Sequence, residues 1–159
     1  MRTIGWAALA AAAFAGTAAQ AKGDLDATIV RTTYGIPHVS ADSWEGIGYG
    51  VAYAYAQDNL CLLAEEFATV RGERSLYFGP ERKVLHGSQE VDNLSSDVFM
   101  RSVIDLPRLR AGASAQGPEA NQLAAGYVAG YNRFLRDAGT DGIPAECRGK
   151  PWVKPITTD

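Results

Sequence analysis

Between Pro118 and Asp137 the apolar residues Ala120, Leu123, Ala124, Tyr127, Val128, Tyr131, Phe134 and Leu135 recur at intervals of three and four. This spacing draws one continuous stripe down an α-helix and is incompatible with a strand, so the chain must bury at least one long helix by a single face. Gly117-Pro118 supplies a start with proline in the first turn, and Gly139 supplies a stop.

Other segments extend this framework. Thr28–Thr32 and Ile36–Ser40 are β-rich and flank Thr33-Tyr34-Gly35, which predicts a hairpin or a bent strand, with Pro37 confined to an edge or a strand start. Asp42 or Ser43 caps a helix over Trp44–Val70, with Glu45 placed as in a capping box. In that helix Leu60, Leu63, Phe67 and Val70 have helical spacing. Gly46, Gly48 and Gly50 weaken it by about 1 kcal/mol each relative to alanine, so they imply close approach of another backbone. Residues 81–92 read as polar loop. A further helix is predicted from Leu94 to Asp105, capped by Asn93 or Ser95 and ended near Pro107. From Thr140 onward Pro144, Pro151 and Pro155 give a loop-like tail. Trp152, Val153 and Ile156 in a tail with no closing element suggest a piece of a longer protein.

Arg2, the apolar run Ile4–Ala15 and Ala19-Gln20-Ala21 read as a signal peptide over residues 1–21, with a mature start at Lys22. The run is shorter than the roughly 18 residues that cross a bilayer. The expectation is therefore a periplasmic or secreted chain with no membrane anchor. Residues 22–159 are enough for one domain of roughly 100–150 residues, or part of one. The formal charge of −3 is spread without a basic stripe, which excludes a nucleic-acid footprint. Cys61 and Cys147 are the two cysteines. Export favours a disulfide between them, and two separate buried thiols are the other reading.

Complete catalytic machinery is missing from the sequence. Ser114 lacks the second glycine of a nucleophile elbow. His38 and His86 lack partners at metal-ligand spacing. Asp58 and Glu65, seven apart on one helical face, read as ion-pairing carboxylates before acid and base. Gly46-x-Gly48-x-Gly50 has the wrong spacing for a dinucleotide fingerprint. No catalytic, cofactor-binding or metal-ligating residue is assigned.

Six ordered segments spanning residues 27–156 nevertheless resemble the penicillin acylase family of N-terminal-nucleophile hydrolases. They are the Arg31 strand leading through Gly35-Ile36-Pro37-His38 to Ala41, and Gly48-Tyr49 followed by Gln57-Asp58. Arg71-Gly72-Glu73-Arg74-Ser75, Tyr127-Val128-Ala129-Gly130-Tyr131-Asn132, Ile143-Pro144-Ala145-Glu146 and Pro151-Trp152 complete the series. Asn59, standing where many members have arginine, and the two cysteines lean toward the subgroup of acyl-homoserine lactone and aculeacin-type acylases. The resemblance implies an α+β chain, mostly helical with an N-terminal strand or hairpin, forming part of an αββα fold. It implies that residues 22–159 are an incomplete α-chain portion, truncated at its C-terminus, of a precursor that cleaves itself into α and β chains. A serine at the new β amino-terminus would be the nucleophile, so this portion alone would be inactive and would leave apolar surface poorly covered. The implied partners are its own β chain and an acyl amide, either an N-acyl-homoserine lactone or a lipopeptide, with signal quenching as a role. Calcium is a cofactor the complete enzyme could bind. Arg31, Gly35, Pro37, His38, Gly48, Tyr49, Gln57, Asp58, Arg71, Gly72 and Asn132 carry the motifs as structural residues. A penicillin-type acylase, or a freestanding disulfide-bridged binding module without catalysis, are the other readings.

Overall fold

Two short hairpins and five helices, in a computed structural model describing residues 25–158, follow one another along the chain. They are β1 (Thr28–Arg31), β2 (Pro37–Ser40), α1 (Trp44–Val70), α2 (Arg74–Phe78), β3 (Lys83–His86), β4 (Gln89–Asp92), α3 (Asn93–Val103), α4 (Leu106–Ala115) and α5 (Pro118–Ala138). The expected signal segment lies outside the described residues. Of an αββα arrangement, the described residues supply the helices and two separate two-stranded antiparallel sheets.

Helix α1 begins at Ser43, whose hydroxyl accepts the Gly46 amide at 3.0 Å. Gly46, Gly48, Gly50, Ala52, Ala54 and Ala56 are all buried, and each intervening residue is more exposed. Alternation of this kind normally marks a strand. In α1 it arises because two faces of one helix, each recurring every four residues, are covered at once. Gly46 and Gly50 lie under the first hairpin, where a Cβ would strike Ala41 and the Asp26 carbonyl, or Val39 and Ala27. Gly48 faces α5, where a Cβ would run into the Leu123 carbonyl. Gly126 and Gly130 of α5 face back, leaving room only for the main chain of Glu45 and Tyr49. Gly46 and Gly48 therefore provide the close backbone approach their cost implied, whereas Gly50 makes room for the side chains of Val39 and Ala27.

Below this crossing α1 kinks at Asn59 (φ −139°, ψ 32°), and the core opens to larger side chains. Ala52, Ala56, Leu60 and Leu63 meet Tyr131 and Phe134 of α5, with Cys147 and Ile156 of the tail closing the cluster. Phe67 and Tyr53 set ring edges against Tyr131 and Phe134 at centroid distances of 5.2 and 5.5 Å. The tail thus forms a strap over the helix pair. Cys147 is disulfide-bonded to Cys61, with the Cα atoms 5.5 Å apart. Asn132 clips the strap further on, donating to the Ile156 carbonyl and accepting its amide, both at 2.9 Å. Replacing both cysteines by serine should cost roughly 4 kcal/mol, because the bridge closes a long loop in the unfolded chain. Urea unfolding of the oxidised chain and the variant checks this.

The middle of the chain departs from expectation. Residues 81–92, read as loop, contain the β3–β4 hairpin, with Lys83 opposite Asp92 and His86 opposite Gln89 across a turn at Gly87 (φ 63°). Neither Asn93 nor Ser95 caps α3. Asp92 does so, accepting the Ser95 amide at 2.7 Å, and these hydrogen bonds hold its carboxyl below the usual range. Pro107 does not end α3, which stops at Val103. It lies in the first turn of α4, where the missing amide hydrogen removes no helical bond.

Candidate functional site

Three side-chain clusters join the elements to one another. In the first, Arg31 at the end of β1 donates to the Gly35 carbonyl at 2.8 Å and to Asp58 and Gln57 of α1, each at 3.0 Å. The Ala54 carbonyl lies within 3.4 Å of the same guanidinium. Gly35 (φ 82°) makes the turn that aims its carbonyl at Arg31, and Pro37 starts β2 directly opposite Arg31. His38 is exposed on β2, paired with Val30. Arg31, Gly35, Gln57 and Asp58 therefore act as one fastener between hairpin and helix. The exposed ion pair within it contributes at most about 1 kcal/mol, so its value lies in orientation.

The second cluster centres on Arg74, which is only 2% exposed. Its guanidinium donates to Asn93 and Thr69, both at 2.8 Å, and to Glu65 at 2.6 Å, and lies 5.0 Å over the Phe78 ring. Asp97 accepts the main-chain amides of Arg74 and Ser75, both at 2.8 Å, which fixes the start of α2. Gly72 (φ 61°) turns the chain into this site, and its carbonyl accepts Arg101 at 3.0 Å. Arg71 lies partly exposed against Phe67, so within the Arg71–Ser75 motif the buried cation is Arg74.

The third cluster pins the strap. Trp152 packs on Phe78 and Tyr77 at 4.7 and 5.9 Å, and Lys154 reaches Tyr77 and Glu73. The hydrogen bond it donates to the Tyr77 hydroxyl, followed by its pairing with the Glu73 carboxylate, raises the Lys154 pKa.

None of these clusters is built to react. The kink at Asn59 interrupts the helical face shared by Asp58 and Glu65, and each is neutralised by a different arginine. His86 meets Ser96 at 2.7 Å, but Ser96 is buried, so no carbonyl could reach its hydroxyl. Ser114 lies within α4. Among the described residues no three His, Cys, Asp or Glu side chains converge on a metal position. No described helix is long and apolar enough to cross a membrane.

One buried group carries a pH signature. The Tyr131 hydroxyl is buried and has no hydrogen-bond partner among the described residues, and burial pushes its pKa up to about 12. The folded chain keeps this proton where the unfolded chain, titrating near 10, has released it. The associated stability is therefore complete below pH 10 and is lost as the pH rises toward 12. Tyr131→Phe should flatten this alkaline decline. It should be neutral or stabilising by up to about 1 kcal/mol at pH 7, because it removes an unpaired buried hydroxyl. Thermal unfolding between pH 7 and 11.5 tests both effects.

Fasteners, a buried arginine hub and a clamped strap define a helical scaffold. Residues 26–154 match the penicillin amidase family model. The chain is 49% identical over 133 residues to the acyl-homoserine lactone acylase PvdQ of Pseudomonas savastanoi pv. phaseolicola, covering 84% of this chain and 17% of that one. It is 46% identical over 159 residues to PvdQ of Pseudomonas putida, covering 99% of this chain and 20% of that one. Identity to the aculeacin-A acylase of Actinoplanes utahensis is 36%, over 85% of this chain and 17% of that one. The structure resembles the thermostable penicillin G acylase from Alcaligenes faecalis with a TM-score of 0.68 and 27% identity, covering 84% of this chain and 66% of that one.

The chain belongs to the penicillin amidase family. It spans between a sixth and a fifth of the length of the curated relatives it matches.

Proposed function

We propose that this chain is the amino-terminal part of the α chain of an exported, self-processing acylase. The complete enzyme hydrolyses the amide between an acyl chain and an amine, with N-acyl-homoserine lactones as the leading substrate class and lipopeptides next. The single observation carrying this reading is near-half identity to relatives named acyl-homoserine lactone acylases across most of the chain. The scaffold observed here supports it, because the polar clusters are all spent on holding elements together and leave the chemistry to a β chain. There a serine hydroxyl adds to the amide carbonyl, the amine leaves with a proton, and water releases the acid, with the serine's own α-amine as base. Residues 1–21 would direct export to the periplasm and be removed, and hydrolysis of acyl-homoserine lactones there would quench signalling. Any calcium bound by the complete enzyme would draw on residues outside those described here.

The test is to express the full-length gene product, measure intact masses and assay acyl-homoserine lactones, a lipopeptide and a β-lactam amide in parallel. The expected result is two chains, the first starting at Lys22 and the second led by serine, with release of homoserine lactone. A single unprocessed chain without amidase activity would overturn the proposal. Preferential cleavage of the β-lactam amide would move the substrate class.

A further inference from the structure

Helix α4 is poorly covered. It packs substantially on none of the other elements, and Leu106 and Leu109 are 45% and 56% exposed. A ten-residue helix is marginal in water without a packed apolar face, so its leucines call for a cover. On one side of α4 lies a largely apolar groove of about 600 Å³, walled by Phe67, Val70, Met100, Ile104, Leu106 and Leu109, with Arg71, Glu73 and Arg101 also lining it. On the other side a second groove of about 660 Å³ separates α4 from α5.

The strap delivers the chain to both grooves. Ile156 is buried and its amide and carbonyl are both held by Asn132, so the position and direction of the main chain are fixed there. Ile156 and Thr157 line the first groove and Thr158 lines the second. An extended residue advances about 3.3–3.6 Å, whereas α4 is about 15 Å long, so roughly five further residues could traverse it. A segment tethered at Thr158 competes at an effective concentration in the millimolar range, and closing so short a loop costs little. A second copy of the chain or a separate polypeptide lacks that advantage.

We infer that the residues immediately following Asp159 in the full-length precursor fold back along α4 and fill this groove with apolar side chains. The covering segment is thus the continuation of the same chain, and this rests on the reading that the chain is the first portion of a longer acylase. A photoreactive benzoylphenylalanine placed at Leu109, and separately at Met100, in the full-length protein tests this. Leu76, which is 73% exposed and away from the groove, serves as control. After irradiation, digestion and mass spectrometry, both positions should link to peptides from the first few tens of residues beyond Asp159, and Leu76 should not. Links only to the serine-led chain, links between isotopically distinct copies, or no link above the Leu76 control would each overturn the inference. The same sample reports on processing. Distant links in a properly cleaved enzyme sink this inference alone, and near links in an uncleaved chain sink the self-processing reading alone.

Discussion

Gly126→Ala should lower the unfolding free energy by about 3 kcal/mol, the largest single-methyl effect expected in this chain. The added carbon falls onto the main-chain carbonyl of Glu45 and crowds the Tyr49 amide, and neither can move aside as a flexible side chain could. The helix crossing must widen, opening space beside Tyr131 and Phe134 that apolar contacts now fill. Doubling the change with Gly130→Ala, which meets the Tyr49 carbonyl, should prevent folding altogether. Gly112→Ala is the control. It also lies in a helix, a Cβ there meets nothing within 4 Å, and the gain in helix propensity should stabilise the chain by about 0.5–1 kcal/mol. Urea denaturation of the three variants checks the ordering, and equal effects at positions 112 and 126 would contradict the close-approach account.

Arg74→Met should cost about 3–5 kcal/mol, the penalty typical of removing one partner of a buried charged network. The buried side chains of Asn93 and Thr69 lose their charged donor, and the Glu65 carboxylate loses its ion-pair partner. Arg74→Lys should recover little, because one ammonium cannot span three acceptors held in the geometry of a guanidinium fork. Combining Arg74→Met with Glu65→Gln should be less damaging than the sum of the two single changes, because it removes both halves of the ion pair. A double-mutant cycle measured by denaturation decides this, and strict additivity would contradict the network.

Helix α5 and the first hairpin were legible from local pattern alone. Each exposes one face to a single neighbour or to solvent, so hydrophobic period and geometry coincide. The first half of α1 was legible only in part, because coverage by the hairpin on one side and α5 on the other turns a period of four into an apparent period of two. The β3–β4 hairpin escaped because Lys83, Glu90 and Asp92 dilute its apolar signal over strands of four residues, although Gly87-Ser88 is a hairpin turn signal. Arg74 escaped for a different reason. In sequence it sits among the charged residues Arg71 and Glu73, and its burial is created by Asn93 and Asp97, about twenty residues further on. Arg31, Gln57 and Asp58 group as a fastener once folded, which local pattern could not show because Arg31 lies 26 and 27 residues from its partners.

The spacing of the glycines in the α1–α5 crossing also restricts which changes in chain length the protein can survive. Gly126 and Gly130 accept successive turns of the same main chain, at Glu45 and Tyr49, so the two helices mesh like teeth one turn apart. Any slip must be a whole tooth, about 5.4 Å, because intermediate positions drive a carbonyl into a Cβ. Inserting or deleting one residue between those positions rotates every later tooth by about 100° and disengages the pair. Length variation among natural versions of this chain should therefore be absent from residues 45–49 and 126–130, and should collect at tips such as Gly87-Ser88 and Gly139, where nothing meshes.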